Sequence, residues 1–112
     1  MAVWYENLYM GINAAPLYDR IYRSIEEEIY LPEVYLITIA SGSKDQLEAF
    51  ESIQLMMPAL RRRLQPIIGL ALGKGEAMTL LQDIVRDVYE ETGDLHLRKY
   101  FEEKIKKQKE TD

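Results

Sequence analysis

The chain of 112 residues contains no cysteine, and this absence excludes several kinds of site. Disulfides, thiolate metal ligands and cysteine nucleophiles are ruled out, and the composition fits a reducing compartment. A single histidine, His96, excludes a histidine-rich metal site. Its position at the start of the last predicted helix favours a partly exposed residue over a general base.

Long apolar runs and an excess of basic residues are also missing. No stretch approaches the roughly 20 apolar residues of a membrane span, and the N-terminus lacks the pattern of a signal peptide. The formal net charge is -5, whereas domains that bind nucleic acid through its phosphates are usually basic. We therefore expect a cytoplasmic protein with neither a membrane nor a nucleic acid as partner.

The composition is that of an ordinary soluble domain. Hydrophobic residues make up 47% and charged residues 29% of the chain, which argues against disorder. The length suits one domain over residues 1–112 and leaves no room for a second.

The N-terminal third predicts an aromatic segment followed by a helix. Residues 1–13 contain Trp4, Tyr5 and Tyr9 without a clear period, so they are an edge strand, a short helix or an arm that packs on a partner. Pro16 suits the first turn of a helix that ends by about Leu31. Its apolar positions have helical spacing: Leu17, Tyr18, Ile21, Tyr22, Ile25 and Ile29.

The central segment predicts a strand and a second helix. Residues 34–40 form a β-branched apolar run, typical of a strand covered on both faces. Ser43 with Gln46 fits a capping box. Residues 47–57 then carry an apolar stripe at helical spacing, made of Leu47, Phe50, Ile53 and Met57. Pro58 either kinks this helix or begins a short new one.

The clearest pattern lies between residues 66 and 93. Residues 67–72 predict a second buried strand, in which Gly69 weakens the strand or marks a close backbone approach. Gly73 to Gly75 form a turn, and Gly93 suits a left-handed helix cap. Between them runs a strongly amphipathic helix with the stripe Ala77, Leu80, Leu81, Ile84, Val85 and Val88.

A last helix follows, which Asp94 can cap. Leu97, Tyr100, Phe101 and Ile105 dock it, and residues 106–112 are a polar C-terminal tail whose end frays. The three arginines at 61–63 could grip phosphate or a carboxylate, but near a helix end they more often complement the carbonyl groups.

These elements predict a small single α/β domain in the order arm-α-β-α-β-α-α. The two strands joined by a helix form one parallel, right-handed βαβ unit. Two strands alone are a poor sheet, so we expect an N-terminal strand or a second chain to complete it. A homodimer is the expected homo-oligomer, since twofold assemblies are the commonest.

In a parallel unit, both strand-to-helix turns would lie side by side at the carboxyl edge of the sheet. Ligands gather at that edge, and each turn carries a lysine and leads into a helix N-terminus that could hold a small anion such as phosphate. The predicted ligand-binding residues are Ser41, Gly42, Ser43 and Lys44 in one turn and Gly73, Lys74 and Gly75 in the other.

Catalytic motifs fail on inspection. The glycines from Gly69 to Gly75 are one residue too close for a P-loop, and a glycine stands where the magnesium-binding Ser or Thr would be. No catalytic residue, cofactor or metal is predicted. An enzyme would need tyrosines, lysines or carboxylates at the turn edge as its acid–base groups.

Several short motifs follow the strand from Tyr35 to Ser41: Ile68-Gly69-Leu70-Ala71, Glu76-Ala77, Ile84-Val85, Val88-Tyr89, Thr92-Gly93 and Leu97-Arg98-Lys99-Tyr100. With them, residues 34–101 resemble a group of short uncharacterised bacterial proteins of unknown function. The resemblance implies a bacterial cytoplasmic protein and supplies no site residue.

Three functions remain open from the sequence. The first is a non-enzymatic module that self-associates or binds a protein partner, which the apolar strands in need of cover favour. The second is a regulatory domain that binds a small anion between the two turns. The third is an enzyme.

Overall fold

A computed structural model describes residues 2–42 and 46–111. Within them a 3₁₀ turn, Ala15–Leu17, leads into the first α-helix, and a second one, Ser52–Met56, precedes another. The strands are β1 (Trp4–Met10), β2 (Val34–Ile39), β3 (Leu47–Glu51) and β4 (Ile67–Leu72). The helices are α1 (Tyr18–Glu26), α2 (Pro58–Arg62), α3 (Lys74–Thr92) and α4 (Leu97–Glu110).

The described strands form one four-stranded mixed sheet in the order β1-β4-β2-β3. β1 is parallel to β4, whereas β2 is antiparallel to both β3 and β4. The prediction of a small single α/β domain is confirmed, and so is the N-terminal strand that completes its sheet. The parallel pair, however, is β1 with β4, and the predicted parallel pairing of residues 34–40 with 67–72 is wrong.

The reversed direction of β2 has its cause in residues 43–57. The predicted helix there is wrong: the described part folds as β3 followed by the 3₁₀ turn Ser52–Met56. β3 follows β2 as a hairpin, so the chain reverses direction before the 3₁₀ turn and α2 carry it across to the other side of β2. β4 therefore pairs antiparallel with β2. Ser43, the predicted helix cap, lies outside the described residues.

Helices cover both faces of the sheet. α3 and α4 pack on one face, over Tyr5, Ile37, Ile39, Ile68 and Ala71. α1 and the 3₁₀ turn before α2 pack on the other face, with a core formed by Ile21, Ile25, Val34, Leu36, Leu55, Ile67 and Leu70. The near-continuous apolar runs of β2 and β4 follow from this double cover.

The strand–turn–helix around Gly73 has the bounds that its pattern predicts. Gly73 (φ 86°) and Gly93 (φ 79°) both have positive φ, which glycine adopts without the steric cost of a Cβ. The N–H of Gly93 donates to the carbonyl of Tyr89 (2.8 Å) and closes α3. Gly69 marks a close approach, since a Cβ there would lie 3.3 Å from Leu80 Cδ2.

The other two predicted helices differ from their expected bounds. α1 ends at Glu26, because Glu28 turns into the left-handed region (φ 58°) and the N–H of Ile29 bonds back to Ser24 (2.8 Å). α4 continues to Glu110 and so includes much of the segment predicted as a polar tail.

Candidate functional site

The two turns predicted to share a ligand lie at opposite ends of the sheet. Val34, at the start of β2, pairs with Leu72, at the end of β4, and the two strands run antiparallel. Ser41 and Gly42 therefore follow β2 at one end, and Gly73 to Gly75 follow β4 at the other. The expectation that both turns meet at one edge is wrong. Ser43 and Lys44 lie outside the described residues.

The turn from Gly73 to Gly75 has an acidic surrounding. Lys74 is exposed, but the carboxylate of Glu76, in the first turn of α3, already accepts the backbone N–H of Leu72 (2.8 Å). A Cβ on Gly73 would lie 3.8 Å from the carboxylate of Glu33. Two carboxylates beside the helix N-terminus oppose a bound anion, so anion binding at this turn stays a prediction that the local charge does not favour.

Ser41 lines a small cavity between the sheet and α2. The cavity has a volume of about 130 Å³, and its polar lining includes Thr38, Glu48 and Arg63. One acid and one base face it together, so its charge is balanced. It therefore gives no preference for an anionic or a cationic ligand.

Two of the three clustered arginines interact with backbone carbonyls. Arg61 Nη1 donates to the carbonyl of Leu55 (3.2 Å), and its Nε lies 3.1 Å from the carboxylate of Glu28. Arg63 Nε donates to the carbonyl of Ala59 (3.3 Å). Both therefore complement carbonyl groups near α2, one of the two roles that the sequence left open.

A group of tyrosines and carboxylates lies between β1, α3 and α4. Burial, followed by the charge of Asp87 and a hydrogen bond to it, raises the pKa of Tyr9 to about 12. The hydroxyl of Tyr100 donates to the carboxylate of Glu91, and burial with this bond raises the pKa of Tyr100 as well. A tyrosine that acts as a base needs a lowered pKa, so both phenols are protonated hydrogen-bond donors at neutral pH.

This arrangement predicts a late alkaline titration for Tyr9. Because its pKa is raised in the folded state, its stabilising effect is complete below pH about 10, the ordinary value, and is lost as the pH rises towards about 12. Absorbance titration of Tyr9→Phe should lose the ionisation of one phenol near pH 12. Asp87→Asn should move that step to lower pH. A titration curve unchanged by both substitutions would contradict the assignment.

The outer flank of α3 is an apolar surface that the sequence interpretation missed. Leu81 and Val85 are half-buried, while Tyr89 is 54% and Leu95 49% exposed. These four residues line a shallow groove with Gln82 and Arg86 at its margin. We call these four residues the α3 flank. The sequence analysis assigned Leu81 and Val85 to the core stripe of the helix. The spacing of four residues from Leu81 to Val85 to Tyr89 was the signal that the apolar surface of this helix is wider than the sheet can cover.

The α3 flank lies on the β3 side of the domain. Asp87 and Glu91 on the opposite side of α3 lie near Tyr9 of β1, so the flank projects away from β1. α3 also packs against β3. Leu81 and Val85 belong to the same apolar cluster as the half-buried Leu47 and Ala49. The α3 flank and β3, an edge strand of the described sheet, therefore form one side of the molecule.

Other kinds of site find no support in the described part of the chain. Over residues 2–42 and 46–111, no cluster of three or more His, Cys, Asp or Glu could bind a metal ion, and no helix is long and apolar enough to cross a membrane. Comparison of the chain with protein-family models, with curated proteins and with solved structures gave no match.

Proposed function

We propose that this protein is a non-enzymatic interaction module that associates with a second copy of itself to form a homodimer. The α3 flank carries the proposal. Single exposed apolar side chains are ordinary, but a contiguous apolar groove on a small domain is typical of a protein-binding surface.

The composition of the flank supports a protein partner. Tyrosine and leucine supply apolar area, and tyrosine is enriched among residues that dominate binding energy. Gln82 and Arg86 give the groove the polar margin common to such surfaces. A twofold contact would place each flank against its copy and remove both from water.

The proposed setting is the cytoplasm of a bacterium. The absence of cysteine supports a reducing compartment, and the resemblance of residues 34–101 supports a bacterial origin. The lack of a catalytic motif in the sequence supports the non-enzymatic part of the proposal.

Self-association should fail when charge is placed in the groove. The double variant Tyr89→Asp with Leu95→Asp would desolvate two carboxylates in the contact, so we expect the dimer dissociation constant to rise at least about tenfold, roughly 1.4 kcal/mol. Sedimentation equilibrium over a wide concentration range measures it.

Ile29→Asp is the matched control. Ile29 is 54% exposed, as Tyr89 is, but it follows α1, which packs on the other face of the sheet. It should leave the dissociation constant unchanged. A wild-type chain that is monomeric at every concentration would refute the proposed function, and a dimer indifferent to the double variant would remove the α3 flank from it.

A further inference from the structure

We propose that β3 pairs antiparallel with β3 of a second copy, so that the two four-stranded sheets become one continuous sheet. This inference rests on the proposed function, because it specifies how the two copies join. It comes from the backbone of the edge strand, whereas the proposed function comes from the side chains of the α3 flank.

The hydrogen-bond register determines which groups of β3 are free to pair. The N–H of Ala40 donates to the carbonyl of Gln46 (3.0 Å), and β2 pairs with β3 so that Thr38 lies opposite Glu48. In an antiparallel pair, the residues that exchange hydrogen bonds alternate. Glu48 and Phe50 therefore bond to β2.

The intervening residues of β3 point their backbone groups outward. These are the N–H and C=O of Leu47, Ala49 and Glu51. The carbonyl of Glu51 accepts the first hydrogen bond of the 3₁₀ turn Ser52–Met56. No hydrogen bond from another residue of the described ranges reaches the other outward groups, and the sheet order places no described strand beyond β3. An edge of this kind is a template for another strand.

The opposite edge of the sheet is occupied in part by the chain itself. Val3 accepts a hydrogen bond from Ile67 of β4, so the groups of Trp4 and Glu6 point away from β4 by the alternation of the strand. Gln108 of α4 binds both: its Nε2 donates to the carbonyl of Trp4 (2.8 Å), and its Oε1 accepts the N–H of Glu6 (2.7 Å). Its side-chain amide thus takes the place of a neighbouring strand at this part of β1. No side chain of the described residues does the same along β3, so β3 is the more open of the two edges.

A second copy of β3 fits this edge better than an arbitrary partner because the strand complements itself. A twofold axis at Ala49 pairs Ala49 with Ala49, and Leu47 with Glu51 of the second copy. Every outward N–H of β3 then faces a carbonyl of the second copy, and the carbonyl of Glu51 is shared with the 3₁₀ turn that follows it. Glu48 then lies opposite Phe50 of the second copy. Shifting the pairing to bring Leu47 opposite Ala49 would set Glu48 against Glu48, and like charges directly opposite are destabilising.

The same axis agrees with the position of the α3 flank. A twofold axis perpendicular to the sheet keeps α3 of both copies on one face, and the flank lies on the β3 side of α3. Pairing of the strands therefore brings the two flanks towards each other. One contact would use the backbone of β3 and the side chains of Tyr89 and Leu95.

Amide hydrogen exchange on the unmodified protein tests the strand pairing. Above the dissociation constant, the amides of Leu47, Ala49 and Glu51 should exchange at least about tenfold more slowly than in the monomer obtained by dilution. The amides of Glu48 and Phe50 are the internal control, because they bond to β2 in both states. Their exchange should change much less.

Substitution at the twofold axis gives an independent test. Ala49→Pro removes the central outward N–H of β3. An edge strand tolerates proline, so the monomer should still fold, and the dissociation constant of the dimer should rise at least about tenfold. Ala49→Ser keeps the N–H and should not. A dimer that persists in Ala49→Pro with fast exchange at all three amides overturns strand pairing but leaves self-association. If Ala49→Pro does not fold, the exchange pattern alone decides. A wild-type chain that stays monomeric overturns both the strand pairing and the proposed self-association. Any partner of the β3 edge would then be a different protein.

Discussion

Phe101→Ala is expected to lower the free energy of unfolding by about 3–5 kcal/mol, the range for removing a fully buried phenylalanine. The ring of Phe101 is 0% exposed. It meets Tyr5 and Tyr100 edge-on, with centroids 5.5 and 4.9 Å apart, and edge-to-face pairs add to the area that is buried. Urea unfolding followed by the fluorescence of the single tryptophan, Trp4, measures the change.

The controls separate packing from a general effect of mutation. Phe101→Leu keeps most of the volume and should cost about half as much or less. Ile12→Ala, at a side chain that is 84% exposed, should change stability by less than about 0.5 kcal/mol. All variants are compared at one protein concentration, because dimerisation would make the unfolding midpoint depend on it. A loss under about 1 kcal/mol in Phe101→Ala would contradict this packing.

Phe101 also affects whether the β1 edge of the sheet stays covered. Its ring, on α4, packs edge-on against Tyr5 and Tyr9 of β1. The same helix brings Gln108 to the outward backbone groups of that strand. Weakening α4 would therefore expose the second edge of the sheet. We expect Phe101→Ala to aggregate more readily than other variants of equal stability.

The elements with strong local patterns could be predicted from the sequence. α3 has a wide apolar stripe and a glycine at each end, and both glycines adopt positive φ as such turns require. The β-branched run of β2 predicted a doubly covered strand for the same local reason. Neither pattern carries information on the direction of a neighbouring strand. The sequence therefore could not distinguish a parallel from an antiparallel pairing of β2 and β4.

The wrong helix prediction for residues 47–57 shows the limit of local sequence patterns. Leu47 and Phe50 are spaced as on a helix, yet they point to opposite faces of the sheet, one towards the α3 side and the other towards the α1 side. Both faces of β3 are partly covered, so apolar residues do not alternate, and a short run of this kind is ambiguous.

Gln46 shows the same limit at a longer range. Its side chain accepts the backbone N–H groups of Leu97 (2.6 Å) and Arg98 (3.3 Å) at the start of α4. The sequence assigned Gln46 to a capping box with Ser43 at the start of the predicted second helix, and Asp94 to the cap of the last one. Asp94 instead accepts the N–H of His96 (3.0 Å). A cap supplied from 51 residues away leaves no local signature.

The candidate site failed for a reason of topology rather than chemistry. Each turn had the residues of an anion site, but the site needed both turns at one edge of the sheet, and strand direction separates them. The α3 flank was missed because a six-residue apolar stripe does not reveal how much of it the sheet can cover. The separation of the two turns and the exposure of the α3 flank both depend on the position of β3 at the edge of the sheet.

The second large effect is expected at Glu76, whose carboxylate joins the end of β1 to the start of α3. It accepts the N–H groups of Leu72 (2.8 Å), Asn13 (3.0 Å) and Ala14 (3.3 Å). Gly11 makes room for it, since a Cβ at that position would overlap the carboxylate. Hydrogen bonds to a charged group contribute about 1.5–3 kcal/mol, so Glu76→Gln should lower the free energy of unfolding by about 1–3 kcal/mol.

The pH dependence distinguishes this contact from ordinary surface charge. Partial burial alone raises the pKa of Glu76, but the backbone N–H bonds outweigh it and hold the pKa below its ordinary value. The unfolded chain therefore binds the proton first as the pH falls. The stabilisation is complete above the ordinary pKa of about 4.3 and is lost as the pH drops through the lower folded value. Urea unfolding between neutral pH and this acid range should show a smaller acid loss in Glu76→Gln than in the wild type.

Gly11 provides the decisive comparison, because its substitution breaks the same contact from the other side. Gly11→Ala should displace the carboxylate, so the double variant with Glu76→Gln should lose less stability than the two single losses added together, with a coupling above about 0.5 kcal/mol. Glu90→Gln, at an exposed acid of the same helix, is the matched control and should cost less than about 0.5 kcal/mol. Additive losses, or an acid response shared with Glu90→Gln, would show that Glu76 does not hold β1 to α3.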